Sequence, residues 1–86
     1  MKVYTLNDEG KRQVLDFVRA HANDRVIEAL DNTRAAESWY AEVENETAAG
    51  YGEVGHWEIK RRYTKSGNPV PFTFGPECFD CEEVPE

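Results

Sequence analysis

Two cysteines near the C-terminal end have the spacing of a metal or redox motif. Cys78 and Cys81 form a Cys-x-x-Cys pair, and two thiolates at this spacing can hold one edge of a tetrahedral zinc ion. A closed site needs two more ligands, and because the chain has no other cysteine, only His56, His21 and the carboxylates could supply them. The carboxylates around the pair disfavour a reactive thiolate and hence a redox role. Plain reduced cysteines are therefore the first interpretation, a zinc site the second and redox chemistry the third.

A run of cations lies beside aromatic residues in the second half of the chain, a mixture typical of nucleic-acid binders. The run consists of Lys60, Arg61, Arg62 and Lys65. On a predicted strand, alternation would divide these side chains between the two faces. A solvated edge strand that is protected from aggregation by its charges explains the same run. Nucleic-acid binding through this hairpin is thus an alternative hypothesis and not the first one.

The segment from residue 37 to residue 59 is acidic and contains no lysine or arginine. Its candidate contact residues are Glu37, Glu42, Glu44 and Glu46. On a predicted helix, Glu42 and Glu46 share one face and the other two glutamates flank it. Carboxylates spaced along a rigid element can imitate nucleic-acid phosphates and compete for basic protein surfaces. An ordinary solvated helix face accounts for the same glutamates.

Aromatic residues lie within or next to this acidic segment. Trp39 is one step away from the main apolar stripe of the predicted helix, and Tyr51 lies in the glycine-rich loop that follows it. Aromatic side chains beside charged groups are frequent anchors of protein interfaces. We therefore assign Trp39 and Tyr51, together with the four glutamates, to a candidate partner-binding surface.

The sequence contains no arrangement of residues that is typical of catalysis. His56 and Glu58 fall on one face of a predicted strand and could form an acid–base pair, but an exposed histidine beside a glutamate usually has no such role. The glycines at 50, 52 and 55 follow a helix and precede a strand, which is the reverse of the order in a phosphate-binding loop. We therefore predict that the protein is not an enzyme and that zinc is its one candidate cofactor.

Length and composition indicate one small soluble domain. The chain has 86 residues, of which 40% are apolar, and its formal net charge is −7. No apolar run approaches the ~20 residues that cross a membrane, and the N-terminus becomes acidic too early for a signal peptide. We therefore expect a cytoplasmic protein that does not bind membranes. The negative charge disfavours direct binding to nucleic acid and favours a basic protein partner.

Apolar periodicity predicts an α+β fold of order β-α-α-β-β, in which two helices pack on one face of a small antiparallel sheet. The predicted strands are 2–6, 56–64 and 70–74, and the predicted helices are 8–22 and 24–46. Apolar residues within 38–44 also alternate, so a strand there is an alternative to helix. We expect the domain to span 1–76 and residues 77–86 to form an irregular acidic tail, with Phe79 folded back onto the domain.

In overall style the chain resembles the short acidic accessory proteins encoded by phages and other mobile elements. The resemblance rests on the single-domain length, the acidic segment and the hairpin turn Tyr63–Pro69. It implies an interaction role, in some cases inhibition of a restriction or CRISPR complex by DNA mimicry, and it assigns no residue. Our first hypothesis is therefore a non-enzymatic module that docks on a basic protein surface. The predicted edge strand at 70–74 leaves a homodimer open.

Overall fold

The computed structural model, which describes residues 1–49 and 54–85, contains three helices and two two-stranded antiparallel sheets. This arrangement confirms the predicted α+β class. Within the described residues, no helix is both long and apolar enough to cross a membrane.

The chain begins with a strand that leads directly into a helix. Strand β1 (Lys2–Leu6) precedes helix α1 (Asp8–His21). Asn7 caps the helix, because its side-chain oxygen accepts a hydrogen bond from the backbone N–H of Gly10 at 2.9 Å. Both predicted elements are confirmed, the helix to within one residue of its predicted end.

Two helices occupy the segment for which the sequence predicts one. Helix α2 (Asp24–Ala29) and helix α3 (Thr33–Ala49) are separated by a short turn. The side-chain oxygen of Asn32 accepts a hydrogen bond from the N–H of Arg34 at 2.9 Å, and asparagine competes with helical hydrogen bonds in this way. The prediction of one continuous helix is therefore wrong. Residues 38–44 lie within α3, so the strand alternative for them is also wrong.

A hairpin follows α3. Strand β2 (Gly55–Ile59) pairs antiparallel with strand β3 (Val70–Phe74), and Trp57 lies opposite Phe72. The predicted strand that would reach residue 64 is too long, because the 3-10 turn Arg61–Tyr63 bonds its backbone locally. The predicted bounds of β3 are confirmed.

The C-terminal segment adds a second pair of strands. Strand β4 (Phe79–Glu83) pairs antiparallel with β1, so that Phe79 lies opposite Leu6 near one end of the ladder. The prediction of an irregular tail over 77–86 is therefore wrong for the residues of β4. The expectation that Phe79 packs onto the domain is confirmed, since only 8% of its surface is exposed.

Aromatic rings fill the core between α1, α3 and the hairpin. The ring centroid of Phe17 lies 4.5 Å from that of Phe72 and 5.8 Å from that of Trp57. Phe74 is fully buried, as is Val43 on the inner face of α3. Helix α3 contacts both β1 and β2. Helix α3 therefore connects the two sheets, because it contacts β1 of one sheet and β2 of the other.

Gly10 allows α1 to lie directly against the segment that precedes β4. A Cβ atom at this position would overlap the backbone carbonyl oxygen of Cys78 and would lie 2.7 Å from a methyl carbon of Leu6. The backbone N–H of Asn7 donates to the same carbonyl oxygen at 3.0 Å. The close approach therefore requires a residue without a side chain.

Candidate functional site

The four glutamates predicted to form one acidic surface lie on two different sides of α3. An α-helix turns about 100° per residue, so Glu42 and Glu46 lie along one side and Glu37 and Glu44 along another. Glu42 and Glu44 are consequently about 160° apart around the helix axis. The predicted grouping of Glu42 with Glu46 holds, whereas their flanking by Glu37 and Glu44 does not.

Glu44 has a structural role on the side of α3 that faces β1. Its carboxylate accepts a hydrogen bond from the backbone N–H of Leu6 at 2.9 Å, in a partly buried position. This bond satisfies a backbone donor at the end of β1 and ties the strand to the helix. The carboxylate of Glu44 is therefore occupied by a bond that stabilises the fold. Glu37, on the same side of α3, is exposed.

On the opposite side of α3, carboxylates from two elements surround one depression of about 400 Å³, which we call the acidic hollow. Glu42 and Glu46 come from α3, and Glu58 comes from the neighbouring strand β2. Lys60 and His56 also line the hollow. Among the ion pairs formed by the described residues, none includes one of these three glutamates. Their negative charges therefore lack a partner within salt-bridge distance in this part of the structure.

A larger groove of about 640 Å³ lies between α2, α3 and the 3-10 turn, and we call it the aromatic groove. Its walls include Trp39, Tyr63, Arg25 and Arg62, and Glu42 lines it as well as the acidic hollow. The two surfaces therefore meet at Glu42 on the same side of α3.

Aromatic packing fixes the shape of the aromatic groove. The ring of Trp39 meets those of Trp57 and Tyr63 edge to face, with centroid separations of 5.5 Å in both pairs. The guanidinium of Arg62 lies 4.8 Å from the ring centroid of Tyr63, which is within the range of a cation–π contact. Trp39 and Tyr63 remain only partly buried. Both rings can thus contact a partner without a rearrangement of the core.

The sequence interpretation did not find the aromatic groove, although Trp39 was assigned to an interface. The groove exists because the chain turns between α2 and α3 and because β2 ends before the 3-10 turn. Asn23 joins these elements, since its side-chain amide donates to the carbonyl of Arg62 at 3.2 Å and its N–H to that of Tyr63 at 2.8 Å. Asn32, whose side-chain oxygen accepts a hydrogen bond at the start of α3, was the sequence signal for the turn between α2 and α3.

The predicted basic run is distributed over several surfaces. Lys60 lines the acidic hollow and Arg62 lines the aromatic groove. Arg61 and Lys65 are exposed and belong to neither surface. Two of the four cations therefore line different depressions, and the other two line neither.

The predicted zinc ligands are not brought together. Cys78 is buried and Cys81 is exposed, while His56 lines the acidic hollow. Over residues 1–49 and 54–85, no group of three or more histidine, cysteine or acidic side chains is arranged to hold a metal ion. Burial raises the pKa of the Cys78 thiol, and the carboxylate of Glu77 raises it further. Such a thiol is a weak nucleophile at neutral pH.

The remaining predicted anchor, Tyr51, lies outside the described residues, as does Glu53 of the acidic segment. No protein-family model, curated protein or solved structure matches this chain. The acidic hollow and the aromatic groove are therefore the features from which a function can be inferred.

Proposed function

We propose that this protein is a non-enzymatic interaction module that docks through the acidic hollow on a cationic surface of a partner protein. One observation carries the proposal: Glu42, Glu46 and Glu58 converge from α3 and β2 without an ion-pair partner among the described residues. Carboxylates that are already neutralised within a fold gain little from a partner. Unpaired ones gain a counter-charge on binding.

The energetics favour a role in association. Like charges on neighbouring elements repel one another, and this repulsion is relieved when lysine or arginine side chains of a partner enter the hollow. The net charge of −7 attracts a cationic surface at long range and accelerates the encounter at low ionic strength. A short docking surface can therefore bind selectively even though it buries little area.

A finer form of the proposal is mimicry of a nucleic-acid backbone, with a nucleic-acid-processing complex as the partner. The stiffness of α3 and the anionic hollow support this form. Because Glu44 is held by β1, the mimicking charges would be those of the hollow rather than the whole acidic segment. Displacement of nucleic acid from the partner would distinguish mimicry from simple docking.

Charge reversal within the hollow tests the proposal. Glu46→Lys with Glu58→Lys alters two exposed side chains of the hollow, and Glu28→Lys with Glu37→Lys alters two exposed side chains elsewhere. Each replacement of Glu by Lys changes the net charge by +2, so both double variants carry −3 instead of −7. The matched pair therefore separates local recognition from long-range attraction.

The measurement is an NMR titration of the isotope-labelled protein with a lysine-rich peptide at low ionic strength. We expect chemical-shift changes centred on Glu42, Glu46 and Glu58, and an affinity about tenfold lower for the hollow variant than for the control variant. The affinity should also fall steeply as salt is added. Equal affinities for the two variants, or shift changes spread evenly over the surface, would contradict docking at the hollow.

A further inference from the structure

We infer that the aromatic groove is a second binding surface, which accepts a partner segment carrying an apolar side chain next to a carboxylate. This inference does not depend on the acidic hollow, since its charge preference is the opposite one.

Several apolar side chains line the groove, which is large enough to hold a bulky side chain of a partner. Val26, Ala29 and Ala35 line it together with the rings of Trp39 and Tyr63. Its volume of about 640 Å³ lies within the range of typical ligand pockets. Partly exposed tryptophan and tyrosine are the residues that most often carry binding energy in protein interfaces. The groove therefore suits one bulky aliphatic or aromatic side chain of a partner.

The rim supplies the charge complementarity that defines the rest of the segment. Arg25 and Arg62 both line the groove, and neither belongs to an ion pair among the described residues. Arg62 is held in place by its contact with the Tyr63 ring and by the hydrogen bond from Asn23 to its carbonyl. A guanidinium forms its best-matched hydrogen bonds with a carboxylate. We therefore assign the acidic residue of the segment to these two arginines.

A protein segment fits the groove better than a nucleic acid does. Nucleic-acid binding depends on neutralising several phosphates in succession, whereas the groove offers two arginines and also contains the carboxylate of Glu42. The net charge of −7 further opposes a polyanion. A peptide segment with a single carboxylate needs only the two arginines, and the net negative charge repels it less than it repels a polyanion.

Selection from a random-peptide library displayed without bias tests this inference. We expect the wild-type protein to enrich peptides in which an aliphatic or aromatic residue is followed or preceded closely by Asp or Glu. The acidic hollow is expected to enrich basic peptides in the same selection, so the inference is overturned if no peptides that combine an apolar and an acidic residue are enriched beside them. A single-stranded oligonucleotide is titrated in parallel, and tighter binding of it than of the selected peptides would assign the groove to nucleic acid instead.

Variants then locate the binding of a selected peptide. Arg25→Gln with Arg62→Gln should weaken it about tenfold through lost charge-assisted hydrogen bonds. Ala29→Glu should abolish it, because Ala29 is exposed and the new side chain fills the groove. Arg34→Gln with Arg61→Gln removes the same charge outside the groove and should leave the affinity unchanged. Equal weakening by the two arginine pairs would overturn the inference.

Two further readouts keep this inference separate from the proposed function. Glu46→Lys with Glu58→Lys should bind the selected peptide with an affinity within about twofold of that of Glu28→Lys with Glu37→Lys, since both variants carry the same net charge and neither Glu46 nor Glu58 lines the groove. Light scattering on the free protein reports self-association. A dimer that is dissociated by Ala29→Glu would show that a second copy occupies the groove, and would replace the inferred partner.

Discussion

Helices α1 and α3 both expose several carboxylates, but the two helices differ in whether an arginine of the same helix pairs with them. On α1, Arg12 lies between Glu9 and Asp16, bonding to the first carboxylate and lying 2.9 Å from the second. Helix α3 contains one cation, Arg34 in its first turn. Its only carboxylate with a hydrogen bond among the described residues is Glu44, which is bound to the backbone of β1.

The difference shows that placement, and not composition, decides which acidic residues are available to a partner. Pairs at i, i+3 and i, i+4 neutralise the exposed face of α1 within one helix. The side of α3 that borders the two surfaces has no cation at such spacings, so its charges can act between molecules. The two helices are also held differently, since α1 is fixed by a backbone contact at Gly10 and α3 by the side chain of Glu44.

The largest effect is expected where α1 meets the C-terminal segment. Gly10→Ala should lower the free energy of unfolding by about 2–3 kcal/mol, because the added methyl group overlaps a backbone carbonyl that cannot move alone. The gain of about 1 kcal/mol in helix propensity offsets only part of this cost. Urea unfolding monitored by tryptophan fluorescence measures the difference.

Gly75→Ala is the matched control, because the atoms nearest to a Cβ atom there belong to the flexible carboxylate of Glu77 and not to the backbone. We expect it to change the free energy of unfolding by less than about 0.5 kcal/mol. Similar stability losses in the two variants would show that the contact between Gly10 and Cys78 does not fix α1.

A smaller loss is expected on α3. Glu44→Ala should cost about 1–2 kcal/mol of stability, because the partly buried N–H of Leu6 loses its acceptor. Glu44→Gln retains a carbonyl acceptor and should recover most of this loss. Glu46→Ala, on the other side of the helix, should be nearly neutral. Urea unfolding gives the stabilities, and hydrogen exchange of the Leu6 amide reports the bond itself.

If Glu44→Ala and Glu46→Ala proved equally neutral, the two sides of α3 would not differ in the way we describe. Faster exchange of the Leu6 amide in both variants would point to general loosening of the helix. Either result would remove the distinction between structural and available glutamates.

Elements whose signals are local were predictable from the sequence. β1, α1 and β3 follow from alternation, from an asparagine cap and from turn residues, all of which act over a few positions. The strand β4 was missed because its sequence, Phe79–Glu83, is mostly acidic and acquires its partner from the opposite end of the chain. A pairing of that sequence separation leaves no periodic signal.

The candidate site was predictable only in part for the same reason. The spacing of Glu42 and Glu46 indicated one helix face, and that is where they lie. The commitment of Glu44 depends on where β1 packs, and the contribution of Glu58 depends on how the hairpin folds back on α3. Both depend on tertiary packing, which no local sequence pattern encodes. The break at Asn32, which creates the aromatic groove, was encoded locally but was outweighed by continuous apolar spacing.

The smallest effect concerns the charges of α1. Hydrogen bonds from Arg12 and then from Gln13 lower the pKa of Glu9 from 4.5 to about 2. In Arg12→Ala this pKa should rise towards 4.5, because the main stabilising donor of the carboxylate is lost. An NMR titration of the Glu9 side chain measures the change. Gln13→Ala, which removes the weaker donor, should move the pKa less.

The pH dependence of stability should change with it. Because the pKa of Glu9 is lower in the folded state than its ordinary value, its contribution is complete above about pH 4.5 and is lost as the pH falls towards 2. Removal of Arg12 brings the folded-state pKa of Glu9 close to its ordinary value, so less stability should be lost between pH 4.5 and pH 2. Added salt screens the pair and should have the same effect. A pKa of Glu9 that stays near 2 without Arg12 would mean that Arg12 is not what stabilises the ionised carboxylate of Glu9. The contrast with the unpaired glutamates of α3 would then need another cause.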